Sequence, residues 1–510
     1  MRIFAVIFSL AVSLLAPALA NAAWLEARTD HFVLTIDASE EDARAFALRL
    51  EQFDQGLQLL YGVTDTPDRR SRPIHVYALS QQLFAETCRC GLTLAYYSPR
   101  ATGSFILTQY VPKVDQKSQI GGWSTQTLLR HEYSHHFMYS NFPLAYPFWY
   151  SEGFAEFNAN ASYEKDGSLI IGYPANYRAE GLRSGGLGMK QLFEPDTYGY
   201  PDDMDLLYGR GWLLTNYLML GPQRKGQLAT YLAAMNKGAR SYAAAQQAFG
   251  NLDTLRDELE SYRKGTLAAP LRIPPPAAPL NVTITPYSPG AAEILPSYLL
   301  IKDGIARNYR LGTAMTAAKI ASRYPDDAVV QTQLAEIEQY AGRLDRADAA
   351  ADRALAIQPN GIDALVRKGM IASERAAGVK PADAKAWSTA RSWFLKANRA
   401  EPNAVMPLYL YYSSFVAAKE KPSAGAVNAL LRAAVLAPES RDIRHAAARQ
   451  KLIERDAATA RDLLQPIAFA PHRRRDRNIP REVITLIDEG KIDEAIALIT
   501  LGEDKDREGD

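Results

Sequence analysis

The chain has 510 residues, of which 47% are hydrophobic, 10% aromatic and 23% charged, a balance that excludes fibrous or wholly disordered chains and predicts two or three folded domains. Its 58 lysines and arginines against 57 aspartates and glutamates give a formal charge of +1, so no overall field directs it to nucleic acid or to an anionic membrane surface.

Arg2 precedes an apolar run from Ile3 to Leu15 and small residues at Ala18, Ala20 and Ala22, which predicts a cleavable signal peptide over residues 1–22. The run is too short for a membrane span and no cysteine follows it, which argues against a lipid anchor. No later segment is apolar enough to cross a bilayer, so the expected location is periplasmic or secreted, by bacterial export. Cys88 and Cys90 are too few for a structural zinc site, and in an oxidising compartment they read as a local disulfide or a loop feature.

From Trp24 to Ile36 the alternation of Phe32, Leu34 and Ile36 predicts a strand, followed by a helix over Glu40 to Tyr61 that buries Leu48, Leu50, Phe53, Leu57 and Leu60. Ile74 to Ala78 and Gly103 to Tyr110 read as further strands. A helix from the cap Ser124 to Tyr139 comes next, then a second starting near Phe148 after Pro143 and Pro147. A hairpin turning at Asp166 and Gly167 and a third helix over Leu206 to Leu220 complete an α+β unit expected at 23–266. The stretch from Gly181 to Gly188, with the polar run to Asp205, is either a loop bordering a cleft or a surface excursion.

Residues 267–291 carry seven prolines from Pro270 to Pro289, which forbid a continuous helix and predict an extended, semi-rigid linker. Beyond it Pro325 and Pro359 lie 34 residues apart, and Pro402, Pro438 and Pro471 continue at intervals of 43, 36 and 33. Leu334, Ala335, Gly342, Ala347, Ala354 and Pro359 fall where small or apolar residues let paired helices approach, and Gly490 and Ala495 echo them, which resembles the tetratricopeptide repeat. An all-α solenoid is therefore expected over 292–500, with an insertion near Gly378 to Lys385 and a disordered charged tail at 501–510. Such a solenoid implies a surface for a protein partner. The basic cluster Arg473, Arg474, Arg475 and Arg477 reads as a solvated loop sooner than an anion site.

The chemistry concentrates in two segments. In His131-Glu132-Tyr133-Ser134-His135 the imidazoles fall one helical turn apart on one face, so both can bind one zinc ion, while Glu132 stands about 100° round the helix, free to take a proton from water. His136 points elsewhere and has no metal role. In Trp149-Tyr150-Ser151-Glu152-Gly153-Phe154-Ala155-Glu156 a second helix offers Glu152 as third ligand, leaving a fourth position open as a catalytic site requires, and Glu156 one turn on can orient a ligating histidine.

Together these motifs resemble the gluzincin metallopeptidases over roughly residues 24 to 265. The resemblance implies His131, His135 and Glu152 as metal ligands for one Zn²⁺ per chain, and Glu132 as general base. Tyr208-Gly209-Arg210-Gly211 is similar to the Tyr-x-Lys-Gly segment of zinc aminopeptidases, with arginine in place of lysine; it implies Tyr208 as the residue stabilising the oxyanion, with Tyr217 as a weaker alternative. The glutamate by which those aminopeptidases hold a free amine has no counterpart in Gly103 to Tyr110, so endopeptidase action on a peptide or protein substrate is expected. With Tyr96-Tyr97-Ser98-Pro99-Arg100 included, the chain resembles the peptidase-MA-like proteins most closely. Two other readings stay open: a non-catalytic repeat protein that recruits partners on a metallopeptidase scaffold, and a zinc hydrolase of a non-peptide amide.

Overall fold

The structure is a computed structural model that describes residues 23–88, 93–111, 124–178, 182–183, 187–381, 383–469 and 477–508. The expected signal peptide, Cys90 and Arg473 to Arg475 lie outside these residues.

The opening segment forms two strands where one was expected. Thr29 N–H reaches the Phe32 carbonyl at 3.0 Å, and the Thr29 hydroxyl accepts from Phe32 N–H at 3.1 Å, which closes a tight turn between β1 (Ala23–Arg28) and β2 (Phe32–Ala38). Helix α1 (Glu40–Tyr61) follows, with the Ser39 hydroxyl accepting from Asp42 N–H at its start and Gly62 in the left-handed region at φ 67° at its end. The acidic first turn, Glu40 to Asp42, suits the positive end of the helix dipole. A short helix α2 (Pro67–Arg70), β3 (Ile74–Leu79), α3 (Gln81–Cys88), β4 (Ala95–Ser98) and β5 (Phe105–Gln109) continue the chain. Cys88 is disulfide-bonded, which removes it from any metal site.

The main sheet has the order β4-β5-β3-β2-β1 and ends on a sixth strand, β9 (Thr283–Pro286), with β2, β3 and β5 parallel and β4 antiparallel at the other edge. One face packs on α1 and on the helices α4 (Thr125–Asn141) and α5 (Phe148–Ala159), through a core that includes Phe32, Phe53, Tyr133, Phe137 and Trp149. The hairpin of β6 (Ala161–Tyr163) and β7 (Leu169–Ile171) and the Asp205–Leu220 helix close the unit.

The proline-rich stretch is more ordered than a linker. Two short segments of it pair: β8 (Leu271–Ile273) joins β7, and β9 (Thr283–Pro286) joins β1 at the far edge of the main sheet. Beyond it, helices run in antiparallel hairpins from Pro289–Asp303 with Arg307–Ala321 to Ile479–Asp488 with Ile492–Glu508. Pro325, Pro359, Pro402 and Pro438 all fall in connections between hairpins, where a missing N–H breaks no helix. Gly342 and Gly490, both at φ 74°, make the turns inside two of them. The last helix reaches Glu508, where composition predicted a disordered tail from residue 501.

The repeats lie against the sheet instead of projecting from it. Leu295 and Leu299 of the Pro289–Asp303 helix join Tyr77, Leu79, Phe84 and Leu107 in one apolar cluster on the second face of the sheet. Further along, Arg432 grips the Asp68 carboxylate with two bonds of 2.8 and 2.9 Å, and Gln465 donates to the Asn236 carbonyl at 2.9 Å. The first helices of successive hairpins thus face this chain's own sheet across a cavity of about 540 Å³, lined by His75 and Arg28 on one side and Lys302, Asp363 and Arg367 on the other.

Candidate metal centre

Helix α4 begins at Ser124, whose hydroxyl accepts from Thr127 N–H at 3.0 Å, and its register points His131 and His135 at α5. Their Nε2 atoms are 3.2 Å apart, and Glu152 Oε2 lies 3.3 Å from one and 3.5 Å from the other. A tetrahedral ion with bonds of about 2.0–2.1 Å holds its ligand atoms about 3.3–3.4 Å from one another, so this triangle has the dimensions of a zinc site. All three side chains are buried, with Glu152 fully so. Burial alone pushes the His131 ring towards neutrality, but the Glu156 charge and bonds to Glu152 and Glu156 raise it to about 10; the same field favours any cation there.

Glu156 stands 3.4 Å from His131 Nδ1, the nitrogen that faces away from the triangle. Its carboxylate accepts from the Tyr177 hydroxyl and, at 2.9 Å, from Arg178 Nε. Arg178 also donates to Asp205 at 2.6 Å and lies over the Tyr208 ring at 4.3 Å. Glu156 is held below the usual carboxylate range: burial opposes this, but Arg178 and His131 outweigh it. Arg178 was missed by motif reading, and so was Tyr177. Both arrive on a single 3-10 turn, Asn176–Arg178, and the only hint of them was that a buried glutamate needs a cation.

Glu132 is half-buried beside the triangle, and its Oε2 accepts from Tyr97 N–H at 2.9 Å. Since β4 is an edge strand, that N–H faces away from β5 and is available to the carboxylate. The Tyr208 ring centroid lies 6.3 Å from that of His131, and Phe148 packs edge-on against it at 5.9 Å. Burial, with the Glu152 charge, pushes the Tyr208 phenol well above its ordinary range, so it stays a proton donor. Tyr217 is committed elsewhere, donating to Glu258 at 3.0 Å, and Arg210 of the same motif pairs with Glu260.

Two glycines set the approach of Tyr208. A Cβ on Gly153 of α5 would sit 2.3 Å from the Gly211 carbonyl, and one on Gly211 would sit 2.5 Å from the Trp149 carbonyl. Only bare backbone lets α5 and the Asp205–Leu220 helix cross this closely.

A second buried group, His31, Glu51 and Asp54, also gathers potential ligands. Here the cation is already built in. Arg69 donates to both oxygens of Asp54, and His31 bonds Glu51 at 2.7 Å and Asp65 at 3.1 Å. Burial lowers the His31 pKa, but the hydrogen bond to Glu51 and the Asp54 charge prevail and raise it to about 9. Tyr133, between the histidines of α4, donates to the same Asp54, so the network braces α4 from behind. His136 takes no part in the triangle, its Nδ1 lying 3.2 Å from the Tyr97 hydroxyl.

Among the described residues no helix is long and apolar enough to cross a membrane. No sequence-family model and no curated protein matches the chain. It is similar to a solved structure described as "Functional Characterization of Pseudomonas Aeruginosa pilF", at 17% identity over 43% of this chain and 93% of that one, with a TM-score of 0.32.

Proposed function

We propose that the chain is an exported, zinc-dependent hydrolase of peptide bonds of the gluzincin kind, acting inside a peptide or protein substrate. The observation that carries the reading is the triangle of 3.2, 3.3 and 3.5 Å between His131, His135 and Glu152. Glu132 supports it further, because a purely structural metal needs ligands but no neighbouring base. His131, His135 and Glu152 would hold the zinc ion, which would supply Lewis acidity to lower the pKa of water towards about 7 and polarise a carbonyl. Glu132 takes the proton from the attacking water and passes it to the leaving amine. The Tyr208 phenol donates a hydrogen bond to the oxygen on which negative charge develops. Glu156 keeps the His131 ring turned to the ion, and Arg178 holds Glu156. Gly103 to Tyr110 offers no carboxylate for a free amine, which favours internal cleavage.

Metal analysis of the full chain, joined to mass spectrometry of cleavage products from unfolded protein substrates, tests this reading. Wild type should hold one zinc per chain and cleave. Glu132→Gln should keep the zinc and lose cleavage, whereas His131→Ala and Glu152→Ala should lose the metal. Stoichiometric zinc in all three variants, or wild-type cleavage by Glu132→Gln, would refute the assignment.

A further inference from the structure

We propose that the repeat domain is a working part of the active site: it clamps the β4–β5 hairpin, and that hairpin positions Glu132. The inference rests on the metallopeptidase reading of His131, His135 and Glu152. β4 pairs with one neighbour only, so little else in the sheet holds it in place, yet it supplies the N–H that Glu132 accepts at 2.9 Å. The repeats grip the hairpin at four points. The Tyr96 hydroxyl donates to Asp303, and Arg100 donates to the Lys302 carbonyl. Ala101 is 6% exposed, inside an apolar cluster made otherwise of repeat residues such as Leu408, Tyr412 and Leu430. Ser104 donates to Glu439 at 3.1 Å.

These grips come from two separated parts of the solenoid, one at residues 302–303 and one at 408–439, so the hairpin is held at both flanks of its turn. The metal ligands themselves sit on α4 and α5, which the repeats do not need to position. Asp303 and Glu439 are therefore positioning residues: loosening them displaces the base and leaves the metal site intact. A displacement of about 1 Å at a reacting group can cost on the order of 10²-fold in rate.

The test uses the full chain with Ala101→Gln, Glu439→Ala and, as the conservative rescue, Glu439→Gln, whose amide oxygen can still accept from Ser104. Three readouts are taken: zinc content, kcat and KM on an unfolded protein substrate, and amide hydrogen exchange over residues 95–98. Zinc should stay at the wild-type level while kcat falls about ten- to a hundredfold with KM within about threefold. Exchange at Tyr97 should quicken while 125–159 stays protected, and Glu439→Gln should restore both. Wild-type exchange at 95–98 together with wild-type kcat in Glu439→Ala would overturn the proposal. Should Ala101→Gln lose its zinc through general unfolding, Glu439→Ala, at a half-buried polar position, decides alone. If wild type holds zinc but cleaves nothing, the peptidase reading fails, whereas the Tyr97 exchange still decides the clamp.

Discussion

At Arg178 three interactions meet: the Glu156 carboxylate, Asp205, and the face of Tyr208. One guanidinium therefore orients the partner of His131 and also the proposed oxyanion donor. Arg178→Ala should weaken zinc binding about 10- to 100-fold, because Glu156 would lose its buried cation and with it the orientation of His131. Chelator competition at fixed pH measures this, and unchanged affinity would remove Arg178 from the site. Arg178→Lys should recover only part of the loss, since an ammonium cannot both fork onto a carboxylate and stack on a ring. The residues legible in sequence were those whose spacing is set by one helix, such as His131 and His135. Arg178 was not, because a 3-10 turn brings it to the site from across the fold. Nor was Tyr97, whose contribution is a backbone N–H that no side-chain pattern records.

Between elements, the crossing of α5 with the Asp205–Leu220 helix decides whether Glu152 and Tyr208 share a cleft. A methyl at Gly211 would meet the Trp149 carbonyl at 2.5 Å, which is backbone and cannot swing aside. Gly211→Ala should cost about 1–3 kcal/mol in urea unfolding and lower turnover by moving Tyr208 outwards. Wild-type stability in that variant would show that the two helices have room to spare. Helices were the most legible elements, with α1 found at its expected bounds and α4 started by its expected cap, because their apolar periods are long. The opening hairpin was read as one strand because its reversal, Thr29 to His31, is only three residues long and carries neither glycine nor proline to mark it.

For the molecule as a whole, the buried network behind α4 links stability to pH. His31 titrates near 6.5 when unfolded and at about 9 when folded, so between those values the folded chain keeps a proton the unfolded chain has lost. Stability from this group is complete below pH 6.5 and disappears as pH rises through about 9. The shift corresponds to a contribution on the order of 3 kcal/mol. Urea midpoints measured from pH 6 to 10 should fall along that limb, and His31→Gln should flatten it; an identical slope in the variant would discount the network. The repeat character was legible because prolines recur in the connections between hairpins, but its docking on the sheet was not, since it depends on scattered contacts such as Asp68 with Arg432. The proline-rich crossing has one more consequence. It leaves β8 with the β6–β7 hairpin and β9 with β1, while Ala277 and Ala278 between them stand in solvent. A peptide-bond break there would sever the chain without separating its halves, for β8 stays in the earlier fragment's small sheet while β9 of the later fragment stays bonded to β1 of the earlier one over Leu25 to Arg28.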